Sequence, residues 1–228
     1  MATPIVADSS VGRTVVQVFA KAPVPGEVKT RLIPVLGVEG ATELYCRLVR
    51  HTLATAALAR IGPIEVWTTG PGEDAFIQAC RRLLGVQVHL QPDGDLGTRM
   101  CAAAGDGLRR ASRVIIVGTD CPTMSHDDLR GARDALEAGE DVVLGPAEDG
   151  GYWLIGLTRC DPALFSGIAW SSAAVLESTR ERLRTLGFRW RELATRWDVD
   201  RPEDLRRLST VRSLSTLIDG LTDHPASA

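Results

Sequence analysis

The sequence predicts a three-layer α/β domain with a mostly parallel central sheet and helices on both faces. Three observations carry that expectation. Short β-branched runs alternate with amphipathic helical segments along almost the whole chain. One run, Arg113–Gly118 (RVIIVG), is almost wholly apolar, as a strand buried on both faces must be. The length of 228 residues, with 44% hydrophobic and 24% charged residues, is what one such domain holds.

Thr14–Ala20 (TVVQVFA) reads as the first strand, and the Pro/Gly-rich stretch Lys21–Pro34 after it cannot be regular helix throughout. From Glu39 to Arg60 the apolar positions Leu44, Leu48, Leu53 and Ala57 recur at near-helical spacing, and Ile64–Thr69 returns to strand composition. The alternation continues with a helix near Glu73–Leu84, a strand at Val86–Gln91, a helix near Leu96–Arg110 and the strand Arg113–Gly118. Ser125 stands three residues before Asp128, an acidic variant of the capping box, which opens a helix to about Ala138. Strands follow at Asp141–Leu144 and Tyr152–Leu157, a helix comes after Ser171-Ser172, and Phe188–Ala194 alternates like an exposed or edge strand. Pro202 at a first helical position, with Glu203 and Asp204 behind it, begins the last helix. There is no internal repeat and no linker, so residues 14–221 are expected to form one domain. Residues 1–13 and 222–228, rich in small, polar and Pro residues, read as flexible tails.

Net charge is −3 and the basic residues are scattered, which argues against nucleic acid or an anionic membrane as partner. Five cysteines without a C-x-x-C pair indicate neither a disulfide framework nor a zinc site. No segment approaches the ~20 apolar residues of a membrane span, and a cytoplasmic location is expected. No exposed apolar stripe speaks for any oligomeric state.

In open α/β sheets ligands bind beyond the carboxyl ends of the strands, which directs attention to the loops after Ala20, Gln91 and Gly118. The first loop gathers Lys21, Lys29 and Arg31 around Gly26. Its backbone amides and cations suit phosphate oxygens, Lys29 as a point charge and Arg31 as a bidentate fork. It is not a Walker A loop, because Val28 stands where that motif needs glycine, and no G-x-G-x-x-G is present. Asp120 follows the apolar fourth strand, and Asp198 and Asp200 follow the last one. Carboxylates at two strand ends suit one hard cation, although Asp200 also stands where it can serve the following helix. Arg99, near the first turn of a helix, opposes the helix dipole unless an anion sits there too. Asp149, Gly150 and Gly151 form either a substrate wall or a plain Asp-Gly hairpin turn. Trp170, Ser171 and Ser172 offer either ring stacking and hydrogen bonding to a ligand or ordinary helix capping.

Taken together, KAPVPGEVKTRL, DGDLGTRM, GTDCP, GPAEDGGYWLIGL, AWSS and DVDRPEDL resemble a family of small bacterial glycosyltransferase-like proteins known by a domain of unknown function and linked to arsenosugar biosynthesis. The resemblance runs from about Val16 to about Leu208. It implies the nucleotide-diphospho-sugar transferase (GT-A) superfamily, a Rossmann-like sheet, a nucleotide over the first strands, and Mg²⁺ or Mn²⁺ held by Asp120. The loop KTRL and the ending DVDRPEDL also look like molybdenum-cofactor and phospholactate guanylyltransferases and sugar-nucleotide cytidylyltransferases. By that likeness Lys21, Lys29 and Arg31 bind phosphates, and Asp120 and Asp200 bind the metal. The chain departs from the G-x-G-x-R loop of sugar-nucleotide pyrophosphorylases, with Pro-Val-Pro-Gly in its place.

The expected activity is glycosyl transfer from a nucleotide sugar to a small acceptor. The metal with Lys29 and Arg31 would stabilise the departing diphosphate, and Asp149 or a neighbouring carboxylate would position or deprotonate the acceptor hydroxyl. The rival is nucleotidylyl transfer, with pyrophosphate leaving a nucleoside triphosphate. A dehalogenase-type phosphatase is disfavoured, because Asp198-Val-Asp200 does not follow the first strand. A non-catalytic nucleotide-binding protein is the remaining class.

Overall fold

A computed structural model describes residues 12–70 and 74–221. Strand β1 (Thr14–Lys21) lies inside a seven-stranded sheet with β2 (Ile64–Thr69), β3 (Gln87–Leu90), β4 (Arg113–Val117), β5 (Val142–Pro146), β6 (Tyr152–Leu157) and β7 (Trp190–Glu192). Their order is β3-β2-β1-β4-β6-β5-β7. The pairs β1/β2, β1/β4, β2/β3 and β5/β7 are parallel, whereas β6 runs antiparallel between β4 and β5. The reversal follows from chain length: parallel neighbours need a crossover of about a dozen residues or more, and residues 147–151 allow only a turn.

Both faces of the sheet are covered, as the continuous apolar strands require. Ile115 and Val117 of β4 join Val16, Val18 and Val66 against Leu53, Ile77 and Leu129 of α1 (Ile33–Ala59), α2 (Ala75–Leu84) and α4 (His126–Glu137). Val114 and Ile116 point the other way, to Met100 of α3 (Leu96–Leu108) and, with Ile155 and Leu157, to Leu176 and Leu183 of α5 (Val175–Thr185). Each such fully buried aliphatic side chain is worth about 1.5–3 kcal/mol. A third cluster joins Leu44 and Leu48 of α1 to Trp197, Val199 and α6 (Pro202–Thr210), and so anchors the chain's last segment beside the start of α1.

The element boundaries differ from expectation in a few places. Helix α1 begins before Glu39, but Gly37 breaks it at φ 70°, a left-handed conformation that favours glycine, so the regular run starts where the periodicity does. Ala57 is exposed and Ala56 and Ala59 are buried in its place. The α4 capping box is present, with Ser125 Oγ accepting from Asp128 N and the Asp128 carboxylate accepting from Ser125 N. Helix α5 has Ala174 at its N-cap, and Ser172 Oγ, just before it, donates to Ala169 O at 2.7 Å and accepts from Ala174 N at 3.3 Å. The edge strand is shorter than its alternation suggested, at Trp190–Glu192. The expected tails, apart from Gly12 and Arg13, and the helix start at Glu73 lie outside the described residues. No helix among the described residues is long and apolar enough to cross a membrane.

Candidate functional site

The segment after β7 returns to the end of β4, where Val199 N donates to Asp120 O at 2.8 Å. That bond sets the GTDCP and DVD segments side by side at the carboxyl end of the parallel strands. The turn between β5 and β6 is fastened to the same place. Arg196 N donates to Pro146 O (3.0 Å) and Glu148 N to Arg196 O (2.9 Å). The Arg207 guanidinium of α6 grips both oxygens of Glu148 at 2.6 and 2.8 Å while lying over the Trp197 ring. Asp120, Asp149, Asp198 and Asp200 therefore share one neighbourhood.

Lys29 completes it. Its ammonium, on a side chain only 3% exposed, reaches Asp120 Oδ1 at 2.6 Å and the Val199 carbonyl at 2.5 Å. Its backbone is left-handed (φ 47°), unusual for a residue with a Cβ, and it opens a short 3-10 turn over Thr30–Leu32. Arg31 pairs with Asp200, both more than two-fifths exposed. Asp198 is half-buried, and burial, then the negative charges of Asp120 and Asp149, push its carboxyl up to about 7; Lys29 opposes the rise and Asp200 adds to it. A carboxyl so displaced marks a place where negative charge is crowded together.

Among the described residues no three histidine, cysteine or carboxylate groups are arranged ready to hold a metal ion. The donor chemistry still fits a hard dication. The groups are carboxylates with the Val199 carbonyl between two of them, and their excess negative charge is partly offset by Lys29.

A second region adjoins the first through Tyr45. Its phenol accepts from Lys21 N at 2.6 Å and donates to Lys21 O at 3.1 Å, which fixes the exit of β1. Burial and the Asp120 charge push this phenol up, so it stays neutral and a donor. Beyond it a cavity of about 370 Å³ is lined by Lys21, Ala22, Val24, Glu27, Thr69, Gly70 and Arg99. Arg99 Nε donates to Gly94 O at 2.9 Å, so its guanidinium is braced by the loop before α3 as it faces the cavity. Gly26 is exposed in the neighbouring loop at φ 84°.

Other sequence candidates are held by packing. A Cβ on Gly150 (φ 89°) would stand 2.2 Å from Ala173 O, so this glycine lets the β5–β6 turn meet the start of α5; Leu176 N donates to Gly150 O at 2.8 Å. Gly151 N donates to Asp149 Oδ1 at 2.8 Å, an Asx-type turn that aims the exposed Asp149 carboxylate. Trp170 lies on Gly97, where a Cβ would be 2.6 Å from its ring. Ser171 is exposed and left-handed at φ 66°. The sequence reading missed Tyr45, Glu148, Arg196 and Arg207. No local signal distinguishes a positioning tyrosine in a helix or a buttressing arginine from a surface residue.

Solved structures share this architecture. A candidate nucleotide-diphospho-sugar transferase from Desulfovibrio desulfuricans G20 is 29% identical over 92% of both chains, with a TM-score of 0.79. CMP:2-keto-3-deoxy-manno-octonic acid synthetase, solved with CTP, is 16% identical over 89% of this chain and 99% of its own (TM-score 0.58). Rv0371c from Mycobacterium tuberculosis H37Rv, solved with manganese, is 21% identical over 88% and 98% (TM-score 0.52). No curated protein matches the sequence. The fold is thus that of the nucleotide-diphospho-sugar transferases, whose members include both sugar-transferring and nucleotidyl-transferring enzymes. Within it, the chain belongs to the bacterial family described as "Uncharacterized protein conserved in bacteria (DUF2064)", whose model matches residues 52–172.

Proposed function

We propose that the protein is a Mg²⁺- or Mn²⁺-dependent glycosyltransferase moving a sugar from a nucleoside-diphosphate donor to a small acceptor. The observation that carries this reading is the carboxylate neighbourhood of Asp120, Asp198 and Asp200 at the strand ends, beside the cation-bearing loop after β1. Asp120, Asp200 and Asp198 would hold the metal, whose charge would stabilise the departing diphosphate. Lys21, Lys29, Arg31 and Arg99, with the backbone at Gly26, would take the phosphates. Asp149, exposed and turned by its bond from Gly151, would orient or deprotonate the acceptor hydroxyl. Gly150, Gly151, Trp170 and Ser171 would form the acceptor wall through the turn that joins them to α5.

The manganese-bound relative supports the metal, and the Desulfovibrio relative supports the sugar nucleotide. A second reading, nucleotidylyl transfer, is favoured by the Lys21–Arg31 loop, which resembles that of triphosphate-using enzymes, and by the CTP-bound synthetase. Product analysis separates the two. Incubation with a panel of nucleoside-diphosphate sugars and triphosphates, with Mn²⁺, should release nucleoside diphosphate and no pyrophosphate. Metal-dependent pyrophosphate release from a triphosphate would replace the first reading by the second.

A further inference from the structure

The basic residues number 26, yet only two are lysines, Lys21 and Lys29, and both lie in the loop after β1. An arginine in the place of Lys29 would spread its charge over a planar fork, whereas a lysine is a compact charge on a flexible stem. Lys29 is the more confined of the two: Lys21 is exposed, while Lys29 is nearly buried, left-handed at its backbone and pointed between Asp120 and the Val199 carbonyl. These are two of the oxygen groups a metal would use. Lys29 holds Asp120 and Arg31 holds Asp200, while Asp120, Asp149 and Asp200 crowd Asp198 with negative charge that a divalent cation would relieve.

We propose that Lys29 is a built-in counter-cation that occupies the metal's place on Asp120, and that entry of a divalent cation and withdrawal of the Lys29 ammonium are one event. This rests on the metal-dependent reading above. It fits the arrangement among the described residues, where Asp120 holds the ammonium and no three ligands are ready to hold a metal. It also makes Lys29 available to a phosphate only when the metal has arrived, so an empty site does not hold a free phosphate-binding cation.

The test uses Mn²⁺ alone as probe and the full chain. Free Mn²⁺ measured by electron paramagnetic resonance should show Lys29→Met binding the ion about tenfold more tightly than the native chain, a typical size for coupling between competing ligands. The native chain supplies a second measurement that needs no variant. Acetylation by acetic anhydride, read by mass spectrometry, should modify Lys21 freely and Lys29 slowly without metal, and saturating Mn²⁺ should accelerate Lys29 about tenfold while leaving Lys21 unchanged. Equal or weaker Mn²⁺ binding by Lys29→Met, with Lys29 still protected in saturating Mn²⁺, overturns the exchange and leaves the metal reading standing. Failure of both chains to bind Mn²⁺ overturns the metal reading itself.

Discussion

Replacing Glu65 by alanine should cost more stability than any single surface change, because of where its carboxylate sits. Glu65 is fully buried on β2 and accepts from Gln17 Nε2 at 3.1 Å, Trp67 Nε1 at 3.0 Å and Arg110 Nη1 at 2.6 Å. In Glu65→Ala the Trp67 indole loses its partner inside the protein, at a cost of about 1–3 kcal/mol for an unmet buried donor. Gln17 keeps Ala103 O, and Arg110, two-fifths exposed, keeps Asp106 and turns to water, so these two lose less. With the vacated space, the total comes to about 3–5 kcal/mol. Urea unfolding should show a lower midpoint at unchanged slope, and the melting temperature should drop by about 2–4 °C per kcal/mol for a chain of this size. Burial alone would raise this carboxyl, but the bonds from Arg110, Trp67 and Gln17 outweigh it and hold Glu65 below the usual range. A depressed folded value means the stabilisation is complete above about pH 4.3 and is lost as pH falls through the folded value. The gap between native and variant should therefore be flat near neutrality and narrow in acid. A loss under about 1 kcal/mol, or a gap that widens in acid, refutes this account of the network.

Gly150→Ala combines a positive φ with a clash against Ala173 O and should destabilise by about 2–4 kcal/mol, measurable by calorimetry; a near-neutral effect would show that the β5–β6 turn does not depend on this contact. Ser125→Ala removes the α4 capping box and should cost about 1 kcal/mol in denaturant titration. Asp120→Asn should abolish the thermal stabilisation that Mn²⁺ gives the native chain, which at 100 times the dissociation constant amounts to about 2.7 kcal/mol. A retained shift would remove Asp120 from the metal site.

Much of the fold was legible because strand and helix periodicity are local. RVIIVG alternates its side chains between two cores, and S-x-x-D before α4 satisfies backbone donors within a few residues. Asp120, Asp198, Asp200, Lys29 and Arg31, far apart in the chain, come together beyond the strand ends. Ser172 and Gly150 read differently in three dimensions. The serine bonds within its own turn, and the glycine makes room for a backbone distant in sequence.

By itself the sequence determined the alternation of elements, the apolar strands and the chemistry of each loop, since these depend on neighbours a few residues apart. Only the tertiary structure decided that β6 runs against its neighbours and that Tyr45 holds the end of β1. It also decided that the Lys29 ammonium is buried against Asp120 and a carbonyl 170 residues away. Those outcomes depend on which surfaces meet once the cores form, and a charge's partner is chosen by that meeting rather than by its place along the chain.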